Sequence, residues 1–326
     1  MLNRRTALAL AAGAGLAPSL PRAQPAAPWR PTRPIRLIVP FAPGGSNDIV
    51  GRLIAEPASV TLGQPIVIEN RAGAGGMIGA EHAARSAPDG YTVLINSAHS
   101  AIPAVTARVP YDTISDFVGI AVAGFSPHVV VVNPRVPAHN FAELVRFLRA
   151  NPGRNNLASA GPGSGVHLAG EIFRAATQTQ VELVHYRGGG PSVAALVAGE
   201  AQVGTPTMAS SLGQVRGGGV RALAVMASER TPVLPNVPSA REVGLPNMVF
   251  EEFFPVLAPT GTPPAAVAAL GAAFQAAIRQ QAERLQELAG VRPRAGYETP
   301  QRVMGLVREM AQSYAAVVRA AGVQPE

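Results

Sequence analysis

Short apolar runs alternate with amphipathic stretches along most of the chain. IRLIVPF, PIVIEN, YTVLINS, HVVVVNP, VELVHY and VRALAVMA are brief and mostly rich in β-branched residues, so they are expected strands. DIVGRLIAEPASV, FAELVRFLRA, HLAGEIFRAA and PSVAALVAGE repeat their apolar positions at helical spacing. Strands separated by helices predict an α/β architecture on buried, largely parallel sheets. From Thr262 onward the pattern turns helical, with Val267, Leu270, Phe274 and Ile278 on one face. Thr262 before its prolines, and Thr299 before Pro300, are helix-start signals; the second opens a helix carrying Val303, Leu306 and Met310.

One order of elements occurs twice. In the first half a strand runs into Gly44-Gly45-Ser46, a helix follows, and PIVIEN leads to Arg71-Ala72-Gly73-Ala74-Gly75-Gly76. In the second half NLASA runs into Gly161-Pro162-Gly163-Ser164-Gly165, a helix follows, and VELVHY leads to Arg187-Gly188-Gly189-Gly190. Gly44 precedes Arg71 by 27 residues and Gly161 precedes Arg187 by 26. Either all strand-helix units look alike, or two similar lobes present matching loops to one another.

Such loops have a chemistry. Ligands of open α/β sheets gather at the carboxyl ends of the strands. A glycine there lets backbone approach closely. The helix that follows offers its first unpaired N–H groups and the positive end of its dipole. Together these make an anion site that needs no charged side chain. Ser46 or Asn47 is expected to cap the first helix and Ser164 the second. GGSND lacks both the dinucleotide pattern GxGxxG and the GK[ST] ending of a P-loop, which argues against hydride transfer and ATP hydrolysis.

The ends and the composition narrow the class. Arg4-Arg5, an apolar stretch from Ala7 to about Ala17 and then small residues with prolines have the build of an export signal over residues 1–23, with cleavage after Ala23 or Ala27. That stretch is shorter than the ~20 apolar residues a membrane span needs, and the arginine pair permits either the general or the twin-arginine route. The expected destination is the periplasm, as a soluble monomer. The chain has no cysteine, so its core must hold it together without disulfides. The net charge of +7 includes Arg4, Arg5 and Arg22, leaving about +4 after cleavage at Ala23. The arginines are scattered, which suits a small anionic ligand better than nucleic acid.

Catalytic and metal motifs are weak. His167 and Glu171 lie four apart on an expected helix, but two ligands do not make a zinc site and no HExxH occurs. Ser164 sits in a glycine-rich turn, yet Pro162 stands where GxSxG requires glycine. Neither metal nor cofactor is expected. An exported hydrolase or lyase using Ser164 and His167 remains the rival to a binding protein.

IRLIVPFAPGGSNDIVGRLIAE, PIVIENRAGAGGMIGAEHAARSAPDGYTVLINSAHSAI, LASAGPGSGVHLAGEIF and VHYRGGGPSVAALVAGE resemble, in order, the motifs of the Bug family. These are extracytoplasmic receptors of tripartite tricarboxylate transporters. The resemblance runs over nearly the whole chain past residue 23. It implies a type II periplasmic-binding-protein fold, with one lobe from 24–126 plus 250–326, a second from 127–249, and crossings near 122–127 and 249–254. It implies a receptor that closes on a small organic carboxylate and delivers it to a membrane permease, or that feeds a signalling partner. Carried over by position, the ligand-binding set is Phe41, Gly44, Ser46, Asp48, Ala74, Gly75, Ser97 and His99 from the first lobe. The second lobe supplies Ser159, Gly161, Ser164, His167, Tyr186 and Gly188, with Thr205 and Thr207. Asp48 is expected to order its loop, and Arg71 and Arg187 either reach the ligand or make external ion pairs. Where the family often reads an aspartate, this chain has Pro206 between those threonines, which argues against an amino-acid ligand.

Overall fold

The computed structural model describes residues 29–97 and 109–320; the expected export segment lies outside the described residues. The chain opens with β1 (Ile35–Val39), α1 (Ser46–Leu62), β2 (Ile66–Asn70), α2 (Met77–Ala84) and β3 (Thr92–Ile95). A long strand, β4 (Phe117–Pro127), then leads to β5 (Val129–Val132). Next come α3 (Phe141–Ala150), β6 (Asn156–Ser159), α4 (Gly165–Thr177), β7 (Glu182–His185) and α5 (Gly189–Ala198). After β8 (Val203–Gly204), α6 (Met208–Arg216) and β9 (Arg221–Val225), the chain returns through β10 (Glu251–Pro259) and ends in α7 (Pro264–Gln280), α8 (Ala282–Ala289) and α9 (Pro300–Ala320).

Two α/β lobes result, each on a five-stranded sheet. The first sheet has the order β2-β1-β3-β10-β4 and the second β7-β6-β8-β5-β9. Their pairing senses agree strand for strand. β1 is parallel to β2 and β3, while β10 is antiparallel to β3 and β4. Likewise β6 is parallel to β7 and β8, while β5 is antiparallel to β8 and β9. The doubled order read in the sequence is therefore a doubled topology.

Local chemistry sets these elements. Val50, Ile54 and Ala58 are fully buried and bring one face of α1 onto Leu37, Val39 and Ile95 of the first sheet. The helix stops where Gly63 turns left-handed (φ 69°) and its N–H caps the carbonyls of Ser59 and Val60. The long C-terminal helical stretch is broken at Gln281 into α7 and α8, and α7 buries the expected Val267, Leu270, Phe274 and Ile278.

The expected strands omitted β4, β8 and β10. β4 and β10 pair antiparallel from Glu251 with Pro127 to Pro259 with Phe117. FVGIAVAGF and EEFFPVL are almost wholly buried, so they carry no polar alternation to announce them. They also carry the connection: β4 passes from Pro127 through His128 into β5, and β10 returns just after Phe250.

His128 fastens that crossing. Its N–H donates to Phe250 O (3.3 Å) and its carbonyl accepts from Met226 N–H (2.8 Å). Its ring, fully buried and 5.0 Å from the Phe250 ring, donates from Nδ1 to Thr205 O at 2.8 Å. Burial pushes the imidazole down to about 4, against the pull of that hydrogen bond, so the ring is neutral at pH 7. Glu252 Oε2 lies 3.7 Å from Nε2.

Candidate functional site

The loops that leave the carboxyl ends of the strands meet across one seam. Loop 40–45, after β1, lies against 187–190, at the start of α5. Ala42 N–H donates to Arg187 O at 3.3 Å, and a Cβ on Gly45 would stand 3.5 Å from Gly189 N. Loop 71–76, after β2, lies against 160–163. A Cβ on Gly161 would stand 3.2 Å from Gly75 Cα, and one on Gly75 would overlap the Pro162 carbonyl oxygen outright. The first loop of each lobe thus faces the second loop of the other, as a two-fold relation between lobes requires. Only glycine permits this approach at Gly75 and Gly190, since a Cβ on Gly190 would overlap the carbonyl oxygen of Pro43.

Helix starts surround the seam. The N–H groups of Ser46, Asn47 and Asp48 at α1, of Gly165 and Val166 at α4, and of Gly189 and Gly190 at α5 have no acceptor among the described residues. Each set lies at the positive end of its helix dipole. An acid group placed there would receive several amide hydrogens at once.

The two loops before α1 and α4 are held by side chains. Asp48 is buried, and its Oδ2 accepts from Gly44 N–H (3.0 Å) and Arg52 Nε (3.1 Å) while Oδ1 accepts from Asn70 Nδ2 (3.1 Å). Burial alone would raise its pKa; the Arg52, Gly44 and Asn70 hydrogen bonds outweigh it and hold the carboxyl below its ordinary value. In the other lobe His167 Nδ1 accepts from Gly163 N–H at 3.0 Å, with Glu171 3.8 Å from Nε2. Burial also favours neutral Glu171, but His167 and Arg174 prevail and lower its pKa.

The expected residues divide by how they reach the seam. Gly44, Gly75, Gly161 and Gly188 come to it as backbone, each with positive φ. Ala74 shares that conformation at φ 47°. Phe41 is buried, and its carbonyl accepts from Asn70 Nδ2 at 3.0 Å. Ser46 is the first residue of α1, not its cap: Gly45 is the N-cap and no side chain caps that end, correcting the assignment to Ser46 or Asn47. Ser164 does cap α4, accepting from His167 N–H at 3.2 Å, and its own hydroxyl donates to Gly161 O at 2.7 Å.

Ser97 is buried beside Asn96, and His99 lies outside the described residues. The Ser159 hydroxyl receives Gly161 N–H at 3.3 Å and lies 3.0 Å from His185 Nδ1. Tyr186 donates its N–H to Ser159 O (2.9 Å), while its half-buried ring packs on the second lobe's own apolar cluster. Thr205 and Thr207 are fully buried, bonded to Val166 O and the Ser210 hydroxyl. Arg71 pairs with Glu69. Asn47 was not anticipated as a site residue: it is fully buried, donates to Ile95 O, and its Oδ1 has no partner among the described residues. A polar residue two places after the glycine pair was the available signal.

Ser164 and His167 do not form a nucleophile and base. The serine hydroxyl is directed at a carbonyl, and the imidazole nitrogen nearest the loop already accepts from Gly163 N–H. No group of histidine and acid side chains among the described residues could hold a metal.

Comparison with known proteins gives the family and the fold. The model of the tripartite tricarboxylate transporter family receptors matches residues 50–323. Protein BugT of Bordetella pertussis is 34% identical over 297 residues, covering 90% of this chain and 91% of that one. The periplasmic binding protein BugD superposes with a TM-score of 0.87 at 29% identity, over 91% of this chain and all of that one (100%). MatC of Rhodopseudomonas palustris, solved with bound malate, has a TM-score of 0.83 at 34% identity, over 88% and 99% of the two chains. An R. palustris protein solved with adipate has a TM-score of 0.86 at 31% identity, over 91% and 99%. These matches are to solute-binding receptors, not enzymes, and no helix among the described residues is long and apolar enough to cross a membrane. With its doubled α/β topology and facing glycine loops, the chain belongs to the family of tripartite tricarboxylate transporter receptors.

Proposed function

We propose that this protein is an exported periplasmic receptor that closes its two lobes on a small organic carboxylate and delivers it to a tripartite membrane permease. The observation that carries the reading is the meeting of helix starts from both lobes at one seam, with seven N–H groups there lacking an acceptor among the described residues. Each helix end supplies ~0.3–1 kcal/mol toward an anion at an exposed site and more where water is excluded. A micromolar receptor needs about 8 kcal/mol, so direct hydrogen bonds and apolar walls supply the remainder. Malate and adipate, held by the two relatives named above, are the first acids to try.

The proposed ligand-binding set is the backbone of Gly44, Ala74, Gly75, Gly161, Tyr186 and Gly188, the N–H of Ser46, and the hydroxyls of Ser97, Ser159 and Thr207, with Ser164 and Thr205 acting through the Gly161 and Val166 carbonyls to which they donate. Phe41 provides an apolar wall, and His99 completes the set from beyond β3. Asp48 and His167 act on the ligand through the loops they hold. Residues 24–126 with 250–326, and 127–249, are the proposed moving bodies.

Mass spectrometry of protein purified without added ligand, followed by a thermal-shift panel of organic acids, tests this. An unmodified carboxylate recovered from the protein, raising its melting temperature and compacting it in X-ray scattering, is expected. Turnover of that acid, or no response to any acid, would overturn the receptor reading.

A further inference from the structure

We infer that Arg216 is a positioning residue for ligand capture: from the far end of α6 it latches the second lobe onto α8 of the first and favours the closed arrangement without touching the ligand. The latch rests on the receptor reading above and adds a part to it. α6 belongs to the second lobe by sequence, yet both lobes grip it. Met208 and Leu212 pack in the second lobe's apolar cluster, whereas Ala209 packs in the first lobe's. Ala209 and Arg216 are seven residues apart, two turns along one helical face. Met208 sits on Gly290, just past α8, where a Cβ would overlap it. At the other end of α6, Arg216 Nη1 donates to Glu287 O at 2.8 Å. That carbonyl lies in the last turn of α8, where helix carbonyls lack partners and the dipole is negative, so a guanidinium suits it.

The two ends of α6 lie at different distances from the pivot. Thr207 bridges His128 in the crossing, and Phe125 exchanges backbone hydrogen bonds with Arg292 at 3.0 and 2.8 Å. Met208 is the next residue after Thr207 and Gly290 is two before Arg292, so a rotation of the lobes barely displaces their contact. Arg216 is eight residues beyond Met208, about 12 Å along the helix at 1.5 Å per residue. A hinge rotation of about 10° swings that end by as much as ~2 Å. A 2.8 Å hydrogen bond does not survive such a shift. The contact therefore exists while loops 40–45 and 187–190 meet, as Ala42 N–H meets Arg187 O here, and is lost as they part. Between the two grips the helix is loosely covered, since a Cβ on Gly213 would meet nothing within 4 Å. Arg216 bridges a gap instead of finishing a packed interface.

Calorimetry with malate, adipate and succinate on the wild type, Arg216→Ala and Arg216→Lys tests the latch, with Gly213→Ala as a control for α6 itself. Arg216→Ala should weaken every acid that binds by one common factor of about two- to fivefold, the range of a cation at a helix C-terminus. The unliganded melting temperature should not change, because the open form lacks the contact. Lysine keeps a charge and a donor and should restore most of the affinity, and Gly213→Ala should bind as the wild type does. Wild-type affinity in Arg216→Ala, or a lower unliganded melting temperature with affinity intact, would overturn the inference, since the contact would then persist in the open form. A factor that differs from acid to acid would also overturn it, by placing Arg216 at the ligand. In each of these cases the receptor reading stands; failure of every acid to bind the wild type would remove that reading, and the latch with it.

Discussion

The helices that follow β1 and β6, one in each lobe, begin with the same construction and different chemistry. In α1 the third residue after the cap is Asp48; in α4 it is His167. Each accepts the N–H of the glycine just before the cap, Gly44 or Gly163, at 3.0 Å. That resembles a capping box reaching one residue further back. Each meets a residue four places on, Arg52 for the aspartate and Glu171 for the histidine. Even the neighbouring strand end corresponds: Asn70 bonds Asp48, and the His185 ring meets the His167 ring edge-on at 5.1 Å. The loop shape recurs while the group that holds it changes from a carboxylate to an imidazole. On the carboxylate reading proposed above, attraction for the anion resides in the backbone, and Asp48 and His167 position the loops.

The largest effect should come from separating the lobes while leaving each intact. Gly190 lies in the first turn of α5 with ordinary helical backbone, so alanine suits the helix. Its Cβ would collide with the Pro43 carbonyl across the seam. Gly190→Ala should keep the unliganded melting temperature and lose affinity on the order of 100-fold, the upper range of coupling between sites. Small-angle scattering should show no compaction on adding acid. Wild-type affinity and compaction in this variant would mean that the lobes close on ligand in some other register than the facing of 40–45 with 187–190.

Next in size is the pair at the third helical position. Asp48→Ala leaves the Gly44 and Asn70 donors without their acceptor, at a cost of about 2 kcal/mol. Little of that belongs to Arg52, whose side chain is 55% exposed and screened by water. His167→Ala removes one acceptor and a longer contact to Glu171 and should cost about half as much. Urea melts of both variants decide the order, and a larger loss for His167→Ala would invert it. The two also differ in acid. Because the folded Asp48 carboxyl is held below its unfolded value, its contribution is complete above about pH 4 and is lost as pH falls through the lower folded value. Asp48→Asn should flatten that part of the acid limb.

Much of this was legible in the chain. The doubled loops and the Ser164 cap could be read directly, because turns and caps are local. Which loop faces which could not. The sequence pairs Gly44 with Gly161 by likeness, whereas space pairs Gly45 with Gly189 and Gly75 with Gly161, since a two-fold relation crosses the pairs. The crossing strands β4 and β10 escaped because buried strands show no alternation. In the sequence His128 is one histidine among six, and only burial reveals it as the neutral pin between sheets.

The smallest effect separates the two helix starts most cleanly. Ser164 occupies one amide of α4, His167 N–H, whereas the glycine cap of α1 leaves three N–H groups for a ligand. Ser164→Ala should cost about 1 kcal/mol of stability. The reciprocal change, Gly45→Ser, is permitted: φ −79° and ψ 169° suit a serine cap, and a Cβ would meet Ala42 O and Gly189 N at an ordinary 3.5 Å. Such a cap should stabilise the protein by roughly 0.3 kcal/mol. It should also weaken acid binding several-fold, because it consumes an amide the anion would use. Opposite signs from one substitution distinguish a donor kept open for ligand from a helix end that merely lacks a cap; a gain in both stability and affinity would refute the reading of α1 as the more generous of the two starts.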